Sequence, residues 1–143
     1  MAKDLGYLAQ DISILHRQYY KDTSRFFRAL GLNPTAACIL LTINDKPGSN
    51  QRTVVTSLVI DKALATREIN KMQELGYLSK KPGIGNSYIL NLTEKGRSII
   101  PKIQKIRSDW SEKLLRQNNL SPQSPMFSAI DKIVDMIVNK QTV

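Results

Sequence analysis

Apolar residues recur along the first thirty positions at Leu5, Leu8, Ile12, Leu15, Tyr19 and Phe26, mostly at steps of three and four. That spacing predicts one apolar stripe on a long helix over 4–30, which Gly31 ends. Asn33-Pro34 opens a short helix in which Ala36, Ala37, Ile39, Leu40, Leu41 and Ile43 leave almost no polar face, so it should be buried. A loop at 45–50 precedes another short helix, Thr53 to Leu58. After Val59-Ile60, Asp61 is placed to cap a helix reaching Leu75, with Ile69 and Met72 inward and Gly76 as its stop. Two β-prone runs, Tyr77–Lys81 and Ser87–Leu92, flank the Pro82–Asn86 turn and read as a hairpin. Thr93 then caps a helix to about Gln117, with Ile99, Ile103, Ile106, Trp110 and Leu114 inward and a kink expected at Pro101. Beyond the break at 121–125, Met126, Phe127, Ile130, Ile133, Val134, Ile137 and Val138 trace a last amphipathic helix.

The long terminal helices change the picture from one chain to two. A helix of about 25 residues runs nearly 40 Å, farther than a central module of about 60 residues can cover. Bare apolar stripes of that length call for a second chain, and a homodimer is the expected assembly.

Composition supports one foldable domain: 143 residues, 41% hydrophobic and 23% charged. Charge narrows the partners. Lys+Arg number 21 against 12 Asp+Glu, a net charge of +9, which favours a polyanion. A single Cys and a single His exclude an internal disulfide framework and a thiolate zinc cage, and leave no cluster for hydrolytic or metal chemistry. No catalytic residues, metal site or cofactor are therefore expected. No apolar run approaches a membrane span, and the first dozen residues lack a secretory signal's apolar stretch. The chain reads as soluble and cytoplasmic, with no membrane partner.

The strongest unit is Thr53 to Leu92: short helix, turn, longer helix with a polar outer face, and a basic hairpin. This is the plan of a winged helix-turn-helix, whose second helix enters the major groove of double-stranded DNA. Local charge agrees. Residues 46–100 hold nine Lys/Arg and four acids, whereas 117–143 hold two of each sign. Lys62, Thr66, Arg67, Asn70 and Lys71 occupy the outward face of the second helix. Arg67 or Lys71 can reach guanine acceptors or phosphates, and Thr66 a base edge or a thymine methyl.

Asp61-Lys-Ala-Leu-Ala-Thr-Arg-Glu-Ile-Asn-Lys-Met-Gln-Glu-Leu-Gly76, followed by Tyr-Leu-Ser-Lys-Lys81 and Leu92-Thr-Glu-Lys-Gly96-Arg97, resembles the MarR family of bacterial transcriptional regulators. The resemblance runs the length of the chain. It implies a mainly α fold with a small β-hairpin wing, a winged helix-turn-helix joined to long dimerisation helices. Residues 1–32 and 101–143 would form the dimerisation region and 33–100 the DNA-binding region. Ala63, Leu64, Thr66, Arg67 and Lys71 match recognition-helix positions, and Arg52 and Thr53 lie where phosphate contacts are usual. The function implied is a homodimeric, ligand-responsive repressor on a pseudo-palindromic operator. The rival is a winged-helix protein-interaction module that reads no DNA sequence, which the basic recognition face argues against.

Two positions depart from the family pattern. Its wing commonly carries Asp-x-Arg, with the Arg in the minor groove; here Ile84-Gly85-Asn86 aligns, leaving Lys80, Lys81 and Asn86 as weaker substitutes. The turn position often held by Gly is Val59. The family also binds small aromatic or anionic effectors between its dimerisation helices and the winged module. His16, Arg17 and Tyr20 are the candidates to line that cleft, against the simpler reading of a surface His beside a salt-bridging Arg. Cys38 sits in an apolar helix with no adjacent base, and reads as an inert thiol rather than a redox sensor. Trp110 reads as packing.

Overall fold

A computed structural model describes residues 3–142. Six helices and one hairpin follow in the order α1 (Tyr7–Arg28), α2 (Pro34–Asp45), α3 (Gln51–Leu58), α4 (Lys62–Glu74), β1 (Leu78–Pro82), β2 (Tyr88–Leu92), α5 (Glu94–Gln117) and α6 (Pro125–Thr142). Among the described residues no helix is long and apolar enough to cross a membrane.

The hub is α2. Asn33 stands extended before it and accepts from the Ala36 N–H through Oδ1 at 2.8 Å, while Pro34 fills the first turn, where its missing N–H costs nothing. Ala36, Ala37, Ile39, Leu40, Leu41 and Ile43 are all buried, because α1, α3, α4, α5 and β2 pack around this helix. Phe27, Val54, Ile69, Met72, Leu78, Leu90 and Ile103 complete the core.

The hairpin pairs Leu78 with Leu92 through to Pro82 with Tyr88, antiparallel. It is docked at its base by the Leu90 N–H, which donates to the Ser49 carbonyl at 2.8 Å. The start of α5 explains the Leu92–Gly96 segment. The Thr93 hydroxyl accepts from the Gly96 N–H at 3.0 Å and donates to the Gly76 carbonyl at 2.5 Å. Lys95 donates to the Leu75 carbonyl at 2.7 Å, where the negative end of α4 favours a cation. A Cβ on Gly96 would lie 2.0 Å from the Tyr77 carbonyl oxygen, so only glycine lets α5 seat here.

Several expectations need correction. The first helix spans Tyr7–Arg28 rather than 4–30. Its buried aromatic is Phe27, not Phe26, which stays exposed beneath the Arg25 guanidinium. The third helix starts at Gln51, two residues before Thr53, because Asn50 and Thr53 form a reciprocal capping box. Asp61 occupies the cap position of α4 with extended backbone, but its carboxylate makes no capping hydrogen bond. Leu5, Leu8, Ile12 and Leu15 on the N-terminal stripe, and Met126, Ile130, Ile133, Val134 and Ile137 on α6, are all exposed in the single chain.

Candidate nucleic-acid interface

The turn between α3 and α4 depends on Val59, which closes α3 at φ 52° and ψ 50°. A β-branched residue is rare in this left-handed region, so the geometry that glycine adopts freely is forced here on a valine. The Val59 N–H still donates to the Val55 carbonyl, and the chain turns as a helix-turn-helix requires.

Two polar braces hold α4 against its neighbours. Gln51 Nε2 on α3 donates to the Thr66 hydroxyl at 2.7 Å, and that hydroxyl donates to the Lys62 carbonyl at 2.9 Å. Lys80 Nζ on β1 donates to Asn70 Oδ1 at 2.9 Å. Helix, preceding helix and wing are thereby tied edge to edge. On the inner face, Ala65, Ile69 and Met72 are buried, together with the Glu68 carboxylate, which accepts from Asn33 Nδ2 at 3.2 Å.

The outer face of α4 carries Lys62, Ala63, Thr66, Arg67, Asn70 and Lys71, all exposed, with Leu64 half-buried beside them. Lys81 and Asn86 are exposed on the wing, and no Asp or Glu lies anywhere in residues 78–92. Arg52 is exposed in the first turn of α3. The Thr53 hydroxyl is committed to the capping box with Asn50. Arg52 and Thr53 line a cleft of about 310 Å³ with Lys46, Thr56 and, from α6, Val138 and Asn139. The basic candidates Arg52, Lys62, Arg67, Lys71 and Lys81 are thus all exposed. The structure also engages Thr66, Asn70 and Lys80 within the protein, leaving Arg67, Lys71 and Lys81 with their donors outward. Gln51 was missed in the sequence, because nothing local marks a contact fifteen residues away.

The residues expected near an effector cleft lie together on one stretch of α1. His16 and Arg17 are exposed, and Tyr20 is half-buried with its ring edge-on to His16 at 6.0 Å. None of the three lines either the cleft beside α3 or a second one of about 360 Å³ along α5, formed by Gln104, Arg107, Ser108, Ser111 and Glu112. The neighbouring Tyr19 turns inward instead, its ring 5.0 Å from Trp110. Trp110 Nε1 donates to Asp22 Oδ2 at 2.9 Å, and this bond holds the Asp22 carboxyl below its ordinary range. Burial raises both the Tyr19 hydroxyl and the Cys38 thiol, and Arg107 acts against each rise. A raised thiol is a poor nucleophile at neutral pH.

Comparison with known proteins places this geometry. Residues 30–85 match the model of the MarR family. An HTH-type transcriptional regulator, BilQ of Clostridioides difficile, is 29% identical over 80 residues, 54% of this chain. The match spans only 54% of that regulator's length, about half. A MarR transcriptional regulator of Methanosarcina mazei superposes with a TM-score of 0.79 at 25% identity, covering 98% of this chain and 92% of that one. A MarR family regulator of Listeria monocytogenes, solved with a 26mer DNA, superposes with a TM-score of 0.83 at 23% identity, covering 97% and 92%. With α3, α4, the wing and the flanking long helices in the same order, the chain has the fold of the MarR winged-helix regulators, and its residues 30–85 resemble that family in sequence.

Proposed function

We propose that the protein is a homodimeric, ligand-responsive repressor that binds a pseudo-palindromic operator in double-stranded DNA. One observation carries this reading: the exposed basic face of α4 is braced on both sides, by Gln51–Thr66 and by Lys80–Asn70. Such a helix enters a major groove as a rigid body, with Arg67 and Lys71 presented to bases and phosphates, Ala63 and Leu64 to thymine methyls, and Asn70 at the edge of the set. Arg52 and the first N–H groups of α3, beside Thr53, suit a phosphate, as do Lys62, Lys80, Lys81 and Asn86.

Residues 33–100 act as the DNA-binding region, and residues 1–32 and 101–143 as the dimerisation region. The bare stripes of α1 and α6 support that division. Dimerisation sets two recognition helices about 34–36 Å apart, one turn of duplex. A small aromatic or anionic effector between the α1 face of His16, Arg17 and Tyr20 and the winged module changes that spacing and releases DNA. The protein works in the cytoplasm, without catalysis or a cofactor. The relatives named above support this reading, being transcriptional regulators, one of them solved with DNA.

Selection from random duplexes with the purified chain tests it. A recovered inverted repeat with half-sites one turn apart is the expected result. Recovery of no preferred sequence favours a protein-interaction module instead.

A further inference from the structure

The last turns of α6 return to the body of the chain at α3. Of residues 131–140 only Val138 is not exposed. Between the two helices lies the cleft of about 310 Å³, at the small end of ligand-binding clefts, which run to roughly 1,000 Å³. Lys46 and Arg52 supply two cations to its lining. Asn50, Thr53, Thr56, Ser57 and Asn139 add amides and hydroxyls, and Val138 is the one apolar side chain. No Asp or Glu lies in residues 46–60. Lys46 Nζ donates to the Ser57 hydroxyl at 2.9 Å, which ties the loop after α2 to the end of α3. Arg52 is exposed and has no ion-pair partner among the described residues.

We propose that this α3–α6 cleft binds a small phosphorylated polyol, its phosphate held by Lys46 and Arg52 and its hydroxyls by Thr56, Ser57 and Asn139. Two cations with no acid among the lining residues favour a dianion, and charge-assisted hydrogen bonds to phosphate oxygens are the strong kind. The neutral lining selects the rest of the molecule. The Thr56 hydroxyl donates to the Arg52 carbonyl at 3.0 Å and keeps a lone pair to accept. The Ser57 hydroxyl accepts from Lys46 and keeps its own proton to donate. Such groups pair with ligand hydroxyls, whereas an aromatic ring would meet only Val138 as an apolar partner and strip water from the polar lining without replacing it. The site stands on the cleft alone. Its consequence for DNA rests on the reading above, which sets Arg52 against a backbone phosphate: ligand and duplex then compete for one guanidinium.

The experiment titrates the full chain with glucose 6-phosphate, inorganic phosphate and glucose at fixed ionic strength, read by calorimetry and by amide chemical shifts. Glucose 6-phosphate should saturate one site per chain and shift the amides of Arg52, Thr56, Ser57, Val138 and Asn139. Inorganic phosphate should bind roughly tenfold more weakly, and glucose not measurably. Lys46→Gln and Arg52→Gln should each weaken glucose 6-phosphate by roughly tenfold. Lys102→Gln removes an exposed lysine of α5 outside the cleft and should change nothing. No saturation by either phosphate, or the same loss in all three variants, would overturn the site. Inorganic phosphate binding as tightly as the sugar phosphate would overturn the polyol part of the assignment. Duplex affinity unchanged by saturating glucose 6-phosphate would overturn the competition alone, and a wild type that selects no duplex would overturn the DNA-binding reading while leaving the site standing.

Discussion

Asn33 joins the cap of the buried helix α2 to α4: its Oδ1 accepts from the Ala36 N–H at 2.8 Å, and its Nδ2 donates to Glu68 Oε1 at 3.2 Å. One side chain therefore fixes the start of α2 and the inner face of α4 together. The Tyr77 hydroxyl adds a second hold on the same corner by donating to the Leu30 carbonyl. Glu68 is only 6% exposed, and its Oε2 is buried without a hydrogen-bond partner.

Removing Asn33 should cost more than neutralising Glu68. Asn33→Ala loses a helix cap and orphans a buried carboxylate oxygen, an expected destabilisation of about 1–3 kcal/mol. Glu68→Gln keeps an acceptor for Asn33 and removes a buried charge, so stability should hold or rise. Urea unfolding of the two variants checks the order; a larger loss in Glu68→Gln would show that the charge has a partner that Asn33 does not account for.

Val59 offers the opposite case, a residue whose backbone is worse than its replacement. Its side chain is mostly exposed and its φ is 52°, so Val59→Gly gives up little burial and relieves a left-handed valine. Stability should rise by about 1 kcal/mol, read as a shift in the thermal midpoint. A fall would mean that the side chain packs more than its exposure implies.

Cys38 and Tyr19 make the folded chain sensitive to alkali. Burial raises both groups, so the folded state holds their protons to higher pH than the unfolded state does. Stability from this source is full below about pH 8.5, where an unfolded-chain cysteine begins to ionise, and is lost as pH rises through the folded values. Urea midpoints between neutral and alkaline pH should fall, and less steeply in Cys38→Ser. Peroxide should leave DNA binding unchanged in wild type and Cys38→Ser alike; release in the wild type alone would make Cys38 a sensor.

The stripe on α6 should be an interface. Sedimentation at micromolar concentration is expected to give twice 16.1 kDa. Ile133→Asp with Ile137→Asp places charges on two exposed positions of the single chain, so folding should survive while the dimer is lost. Dimers that persist in this double variant would place the interface elsewhere.

What the sequence makes legible follows the range of the interactions. Helix ends at Gly31 and Gly76, the buried α2 and the hairpin rest on neighbours within a turn or two, and spacing reveals them. Phe26 and Phe27 differ by one helical step of 100°, so either fits an apolar stripe until the partner helices are known. Asn33–Glu68 and Tyr77–Leu30 join residues 35 and 47 positions apart. No periodicity encodes such pairs. The same holds for the recognition face: its outward residues follow from period 3.6, but the engagement of Thr66 by Gln51 and of Asn70 by Lys80 follows only from tertiary packing. Tyr19 and Tyr20 illustrate the limit: both are half-buried, yet Tyr19 packs against the core and Trp110 while Tyr20 meets His16, a division that spacing alone does not assign.

Arg67 is where the account of DNA reading is most exposed to test. It is unencumbered on the outer face of α4, and its guanidinium can present two donors to guanine O6 and N7, which a lysine cannot do. The deciding measurement is the affinity of wild type and Arg67→Ala for the selected duplex and for a scrambled one at the same salt. A loss of about 1–3 kcal/mol on the selected duplex, with a much smaller loss on the scrambled one, is the expected result. Equal losses on both would contradict base reading by Arg67 and leave it holding a phosphate.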